Sequence, residues 1–125
     1  MSVSLCRCSA TALLNETDLP LELILDKYHV TEDDVAAISK VAPKRIVLVT
    51  DAMAAAGQPD GDYTIGDLDV VVENEVARLK SNGALAGSTL TMARAVSNAR
   101  DWNLSDDVIN HAARILPLEL LNRAR

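Results

Sequence analysis

One stretch decides the fold of this chain: Arg45-Ile-Val-Leu-Val-Thr-Asp-Ala-Met-Ala-Ala-Ala-Gly57. Its first half, Ile46 to Val49, is apolar without alternation, which is typical of a strand buried on both faces of a parallel sheet. Asp51 follows where that strand ends. Because α/β folds place their chemistry at the carboxyl ends of parallel strands, Asp51 is the first candidate for a functional residue.

A strand and a helix precede this stretch. Leu19 to Leu25 reads as a second buried strand. Thr31 is placed to cap a helix whose first turn is acidic, and Pro43 ends that helix. The spacing therefore predicts two parallel strands joined by a helix crossover. The buried stripe of the helix is predicted to comprise Val35, Ala36, Ile38, Ser39, Val41 and Ala42.

The middle of the chain has a different pattern. Short apolar segments at 63–65, 68–72 and 76–79 are separated by turn residues. They predict an antiparallel hairpin or meander, inserted at about residues 58–82 after the Asp51 strand.

Two helices follow the inserted strands. One is predicted over about Leu90 to Asp101, with a buried face of Met92, Ala95, Val96 and Ala99. Ser105 caps the last helix, and Pro117 is expected to end or kink it. The apolar face of that helix is predicted to comprise Val108, Ile109, Ala112, Ala113, Ile115 and Leu116.

Composition narrows the class of protein. The 125 residues carry a net charge of −6, which argues against nucleic acid or an anionic membrane as the main partner. No apolar run is long enough for a membrane span or for a signal-peptide core, so a cytoplasmic location is expected. Cys6 and Cys8 lack the further cysteines of a zinc site, which favours two reduced thiols in a loose leader.

Asp51 and His29 are the side chains best placed for chemistry. Asp51 can serve as a general base or metal ligand, or it can instead cap the loop after it by accepting backbone N–H bonds. His29 follows the preceding strand, beside Asp26. Because neighbouring strand ends lie about 5 Å apart, His29 and Asp51 can face one pocket. The alternative for His29 is a partly exposed ring near Tyr28.

Backbone groups offer a third candidate. Leu85-Ala-Gly-Ser88 leads into a predicted helix, and N–H groups at a helix start can bind an oxyanion or a sugar hydroxyl. The alternative is ordinary helix-entry chemistry. His111 lies among polar residues of the last helix and is expected to be a solvated surface residue.

Three ordered motifs carry a family resemblance. They are Leu23-Ile-Leu-Asp-Lys-Tyr-His-Val30, Leu48-Val-Thr-Asp-Ala-Met-Ala-Ala-Ala-Gly57 and Gly83-Ala-Leu-Ala-Gly-Ser-Thr-Leu-Thr-Met92. Together they resemble the C-terminal part of N-acetylglucosamine-6-phosphate deacetylase, of the amidohydrolase superfamily, over about Leu13 to Pro117.

The resemblance implies a fold and a reaction. The family is a metal-dependent (β/α)8 barrel beside a small β-sandwich. Residues 13–125 would then be an α/β segment holding the last two barrel strands and their helices, with residues 1–12 as an unmatched leader. The reaction is hydrolysis of the acetamide of N-acetylglucosamine 6-phosphate to glucosamine 6-phosphate and acetate.

By the same resemblance, individual residues receive roles. Asp51 would accept a proton from the metal-bound water and later donate it to the leaving amine. His29 would contact the aminosugar phosphate, and the main chain of Leu85, Ala86 and Gly87 would line the sugar site.

Departures from the family pattern limit this expectation. The glutamate and two histidines that hold the family's divalent metal, zinc or similar, lie upstream of the match, which leaves Asp51 as the one candidate ligand here. Lys27 stands where the family usually has a glycine. A truncated or frame-shifted, inactive part is therefore expected. The alternative is a non-catalytic fragment that assembles with itself or with a separately encoded N-terminal half.

Overall fold

A computed structural model describes residues 14–15 and 18–124 of the chain. It contains two compact units: the chain up to Val49 together with the chain from Met92 onward, and the contiguous segment Thr50–Thr91. The predictions for residues 1–12, including Cys6 and Cys8, lie outside the described residues. The predicted domain division stays a prediction.

The first unit is built around a parallel pair of short strands. Strand β1 (Leu21–Leu23) pairs with β2 (Ile46–Leu48), and Leu23 lies opposite Leu48. All three residues of β2 are buried, as the unbroken apolar run predicts. The parallel pairing is confirmed. Strand β1 is shorter than predicted at both ends. Leu19, ahead of Pro20, is exposed, whereas Ile24 and Leu25 are buried but lie outside the strand.

Helix α1 (Glu32–Val41) connects the two strands. The Thr31 side chain accepts from the Asp34 N–H at 3.2 Å, and the Asp34 carboxylate accepts from the Thr31 hydroxyl at 2.7 Å, which forms the predicted N-terminal cap. Val35 and Ala42 are buried, but Val41 is exposed, so the predicted stripe is wrong there. At 3.6 residues per turn, Ala42 returns to the face of Val35 whereas Val41 falls off it.

Helix α2 (Met92–Asp101) packs in the same unit. Its Ala95 and Ala99 are fully buried, as predicted. Met92, the first residue of the helix, is exposed, so the predicted buried face is wrong there. Asn98, which the apolar pattern passed over, is buried, and its side-chain N–H₂ donates to the Leu25 carbonyl at 2.6 Å. That bond satisfies a polar group that would be costly to bury alone.

The C-terminal helical region is continuous through Pro117. Helix α3 (Asp106–Asn110), capped by Ser105, leads into a π-helical segment (His111–Ile115) and then helix α4 (Leu116–Arg123). Of the two outcomes predicted for Pro117, an end or a kink, the end is wrong. The Leu116 N–H donates to the His111 carbonyl, five residues back, and this widened turn accommodates a proline that would clash in a regular helix. Ile115 is exposed, against the predicted apolar face.

The second unit contains the predicted antiparallel meander. Strands β3 (Gly61–Ile65), β4 (Leu68–Glu73) and β5 (Val76–Leu79) pair in chain order. The Asp60 carboxylate accepts from the N–H groups of Asn74 and Glu75, the two positive-φ residues of the β4–β5 turn. The core of the unit comprises Ala55, Val70, Val72, Ala77 and Ala86.

The described chain is thus a small α/β piece, with a parallel pair in one unit and an antiparallel sheet in the other. Across residues 14–15 and 18–124, no helix has both the length and the apolar character that a membrane crossing requires.

Candidate active site

The backbone around Asp51 is fixed by a second strand-like segment. Asp51 itself has a φ of +49°, in the left-handed region. Its carbonyl accepts from the Ser88 N–H at 2.8 Å, and the Met53 N–H donates to the Ser88 carbonyl at 2.9 Å. These bonds form a parallel bridge between Ala52 and Ser88. Asp51 therefore sits on a paired backbone rather than in a loose loop.

The Ser88 side chain adds two further bonds. Its hydroxyl donates to the Thr50 carbonyl and accepts from the Leu90 N–H at 3.1 Å. Ser88 is only 3% exposed, so this hydroxyl bonds inside the protein rather than to solvent. The alternative of ordinary helix-entry chemistry, with Ser88 as the cap, is wrong, because α2 begins four residues later and Ser88 instead bonds to the residue before Asp51.

The close approach of the 85–88 segment to the Asp51 backbone favours a glycine at position 87. The φ of Gly87 is +63°, and a β-carbon at this position would lie 3.1 Å from the Asp51 carbonyl oxygen and 3.6 Å from Met53 Cβ. The neighbouring Ala86 N–H donates to the Ala77 carbonyl at 3.0 Å, which ties the segment to β5. The segment 85–88 thus connects the meander to the Asp51 backbone.

The Asp51 carboxylate is exposed. No hydrogen bond or ion pair reaches it from the other residues that the structure describes, so the loop-cap alternative is wrong. An exposed carboxylate avoids the cost of burying an unpaired charge. A side chain of this kind can accept a proton or contribute one ligand to a cation.

In the segment proposed to line the sugar site, bonded and unbonded backbone N–H groups alternate from Leu85 to Ser88. The N–H groups of Ala86 and Ser88 are occupied by protein carbonyls. Those of Leu85 and Gly87 bond to no other part of the described chain. Two spaced donors are therefore left over on the segment that approaches Asp51.

His29 lies in the first unit and is fixed by Asp26. One Asp26 carboxylate oxygen accepts from the N–H groups of Tyr28 and His29, both at 2.9 Å. The other oxygen lies 2.7 Å from His29 Nδ1. Lys27, between them, has a φ of +73°, a conformation that favours glycine. The side chains of His29 and Asp26 are 14% and 13% exposed.

The bond to Asp26 fixes the His29 ring but does not distinguish a substrate contact from the alternative of a partly exposed ring near Tyr28, so both stay predictions. Whether His29 and Asp51 face one pocket stays a prediction, since they belong to different units. His111 is half-buried, and its Nε2 lies 3.1 Å from the Lys44 carbonyl, so it is not the freely solvated residue expected.

Within residues 14–15 and 18–124, no three His, Cys, Asp or Glu side chains are grouped to hold a metal ion. The sequence did not show that Ser88 bonds to Thr50 or that Asn98 bonds to Leu25, because the two partners of each bond lie far apart in the chain. Asp26 had a usable signal, since an aspartate just before a loop commonly accepts backbone N–H bonds two or three residues on.

Comparison with known proteins gives relatives that are named as deacetylases of N-acetylated aminosugar 6-phosphates. No family model matches the chain. It is 42% identical over 82 residues to an N-acetylglucosamine-6-phosphate deacetylase of Vibrio furnissii, covering 66% of this chain and 20% of that protein. It is 49% identical over 78 residues to a putative N-acetylgalactosamine-6-phosphate deacetylase of Escherichia coli K12, covering 62% of this chain and 46% of that one.

Solved structures of N-acetylglucosamine-6-phosphate deacetylases are similar to this chain in backbone. N-acetylglucosamine-6-phosphate deacetylase of Thermotoga maritima matches with a TM-score of 0.76 at 42% identity, over 82% of this chain and 28% of that one. The Pasteurella multocida enzyme matches with a TM-score of 0.80 at 28% identity, over 86% and 28%. A Mycobacterium smegmatis variant in complex with N-acetyl-D-glucosamine-6-phosphate matches with a TM-score of 0.73 at 37% identity, over 82% and 28%.

The chain therefore spans between about a sixth and about half of the length of the curated relatives that it matches. The resemblance inferred from its three motifs is confirmed: in sequence and in backbone, this chain is similar to one part of N-acetylglucosamine-6-phosphate deacetylases.

Proposed function

We propose that this chain forms part of the active site of an aminosugar 6-phosphate deacetylase, within the last two strands and helices of a (β/α)8 barrel. The parallel pair β1–β2, with β2 buried throughout, is the local structure that a barrel wall requires. The named activity of the relatives supplies the reaction: hydrolysis of an acetamide to an amine and acetate.

One observation carries the proposal. Asp51 follows β2, its backbone is fixed on both sides by Ser88, and its carboxylate is exposed and unpaired within the described chain. In the proposed reaction, Asp51 accepts a proton from the attacking water as the water oxygen bonds to the acetyl carbon. Asp51 then returns that proton to the nitrogen as the carbon–nitrogen bond breaks. His29 and the main chain of 85–87 are proposed to contact the sugar.

The family's divalent metal does not fit the residues in hand. Asp51 is a single exposed carboxylate with no second ligand grouped beside it in the part of the chain that the structure describes. An exposed carboxylate acting on an ordinary water and an ordinary amide is a weak catalyst, so the chain alone is proposed to lack the turnover of its longer relatives.

The first experiment measures acetate released from N-acetylglucosamine 6-phosphate by the purified chain with added zinc. We expect no release above the protein-free blank. Turnover that a chelator abolishes and that Asp51→Asn also removes would show instead that these 125 residues form a complete catalyst.

A second experiment tests the role of Asp51. The segment of this chain that aligns with the Vibrio furnissii enzyme replaces its counterpart there, and acetate release is compared for the chimera and its Asp51→Asn version. We expect at least a hundredfold loss, as for removal of a general base. A folded chimera whose activity survives Asp51→Asn would sink the assignment.

The identity of the sugar is a second question that the same chimera can address. The 49% identity to a putative N-acetylgalactosamine-6-phosphate deacetylase favours testing the C4 epimer alongside the gluco substrate. The ratio of kcat/KM values for the two epimers decides between them. A cytoplasmic location and assembly with a second copy or with a separately encoded N-terminal half remain proposals.

A further inference from the structure

The Asp26–His29 contact determines which nitrogen of the neutral His29 ring carries the hydrogen. An ionised carboxylate has lone pairs but no hydrogen to donate. At 2.7 Å from Asp26, His29 Nδ1 must therefore carry the hydrogen of this bond. In a neutral imidazole, the other nitrogen, Nε2, is then the acceptor.

The geometry around Asp26 makes this arrangement stable. Its second carboxylate oxygen already accepts from the N–H groups of Tyr28 and His29, so the carboxylate cannot rotate without losing backbone bonds. Both side chains are mostly buried, which strengthens a hydrogen bond compared with one in water. No other described residue is bonded to Nε2, so that nitrogen is left over for a ligand.

We propose that Asp26 is a positioning residue that holds His29 in the Nδ1–H tautomer and so makes Nε2 a hydrogen-bond acceptor for a hydroxyl of the bound sugar. The tautomer follows from this chain's own contacts. The ligand group rests on the proposed function. The neutral donors of an N-acetylated aminosugar phosphate are its hydroxyls and its acetamide N–H. The proposed function assigns the acetamide to Asp51, which leaves a hydroxyl for His29.

The chain contains its own reference ring. His111 is the second of its two histidines, and its Nε2 lies 3.1 Å from the Lys44 carbonyl. A carbonyl oxygen accepts only, so Nε2 of His111 must carry the hydrogen. The two rings are thus expected to be in opposite tautomers in one molecule.

The test is long-range ¹H–¹⁵N NMR of the ¹⁵N-labelled full chain at a pH where both rings are neutral. We expect the protonated-type nitrogen shift on Nδ1 of His29 and on Nε2 of His111. Finding Nε2–H on His29 would overturn the proposal from the wild-type spectrum alone.

The variant Asp26→Asn sharpens the test. An asparagine oxygen can still accept from the backbone N–H groups, but its N–H₂ group would donate to Nδ1 and reverse the tautomer. We expect the two ¹⁵N shifts of His29 to exchange places while those of His111 stay. An unchanged His29 tautomer in a folded Asp26→Asn chain would contradict the positioning role.

A matched control removes a different carboxylate nearby. Asp101 pairs with Lys27 at 3.6 Å but is not bonded to His29. Asp101→Asn should leave both tautomers as they are. Loss of the His29 tautomer in that variant would show that general charge, not the Asp26 bond, sets it.

Titration with N-acetylglucosamine 6-phosphate separates this inference from the proposed function. A ligand hydroxyl bonded to His29 should shift Nε2 more than Nδ1. If the tautomers are as expected and saturating ligand leaves Nε2 unmoved, the positioning role of Asp26 stands and the sugar contact of His29 fails.

Discussion

The two loops that carry candidate residues are held in opposite ways. In the first unit, the His29 ring is fixed by a side-chain bond to Asp26, and the backbone between them has a non-glycine residue at positive φ. In the second unit, the Asp51 side chain is unpaired within the described chain, while its backbone is bonded to Ser88. The first loop fixes the side chain of His29, whereas the second fixes the backbone of Asp51.

The difference matches the chemistry proposed for each residue. A ring that accepts a hydrogen bond from a hydroxyl must have an unprotonated nitrogen facing it, so the ring must be held in one tautomer. A proton acceptor must contact first the water and then the leaving nitrogen. Its carboxylate therefore has to be accessible to both, while its backbone stays in place. Three substitutions test whether the loops are held as described.

The largest effect is expected at Ser88. Ser88→Ala removes the donor to the Thr50 carbonyl and the acceptor of the Leu90 N–H in a buried place. Stability should fall by about 2 kcal/mol, the cost of leaving such groups unpaired. Urea unfolding followed by circular dichroism measures it, with hydrogen exchange at the Met53 amide as the local readout.

The control for Ser88 is Asp51→Asn. Asparagine tolerates positive φ as aspartate does, and the carboxylate has no bond to lose within the described chain. Its effect on stability should be within about 0.5 kcal/mol. If Ser88→Ala is no more destabilising than Asp51→Asn, the backbone of this loop is not held by Ser88.

Gly87→Ala should come next. Two costs add: the positive φ of 63° and a new β-carbon 3.1 Å from the Asp51 carbonyl. A total loss of roughly 1–2 kcal/mol is expected, most of it from the conformational cost. Gly57→Ala, with a φ of +76° and no atom near its β-carbon, isolates the conformational part. Equal urea midpoints for the two variants would rule out the contact with Asp51.

The smallest effect, of opposite sign, is expected at Lys27. Lys27→Gly relieves a non-glycine residue at a φ of 73° and should stabilise the chain by roughly 0.5 kcal/mol. Lys27→Ala keeps the β-carbon while losing the exposed pair with Asp101, and is the matched control. A thermal midpoint for Lys27→Gly at or below that of Lys27→Ala would show that the loop is not strained there.

Local patterns predicted the elements well. The unbroken apolar runs before Asp26 and Asp51 gave the parallel pair, and the Thr31 cap gave the start of α1. The turn residues around 58–61 and 74–75 gave the meander. These signals are local, because neighbouring residues or a fixed period produce them.

Contacts between distant residues were beyond such patterns. Asn98 is buried because a carbonyl of Leu25 needs a donor, and nothing near Asn98 in the sequence shows this. Pro117 does not end its helix, because a π-helical turn precedes it, and periodicity alone does not show such a turn. At the site, the sequence pointed to Asp51 but not to Ser88, whose role depends on the bridge to Ala52.

The bond from Asn98 to Leu25 also orders events during synthesis. The first unit uses residues from both sides of the second, whereas the second is one contiguous segment. A ribosome therefore makes all of Thr50–Thr91 before Asn98 exists to satisfy the Leu25 carbonyl. The segment between β1 and His29, which contains Leu25, can take its final form only after the whole Asp51 loop has been made.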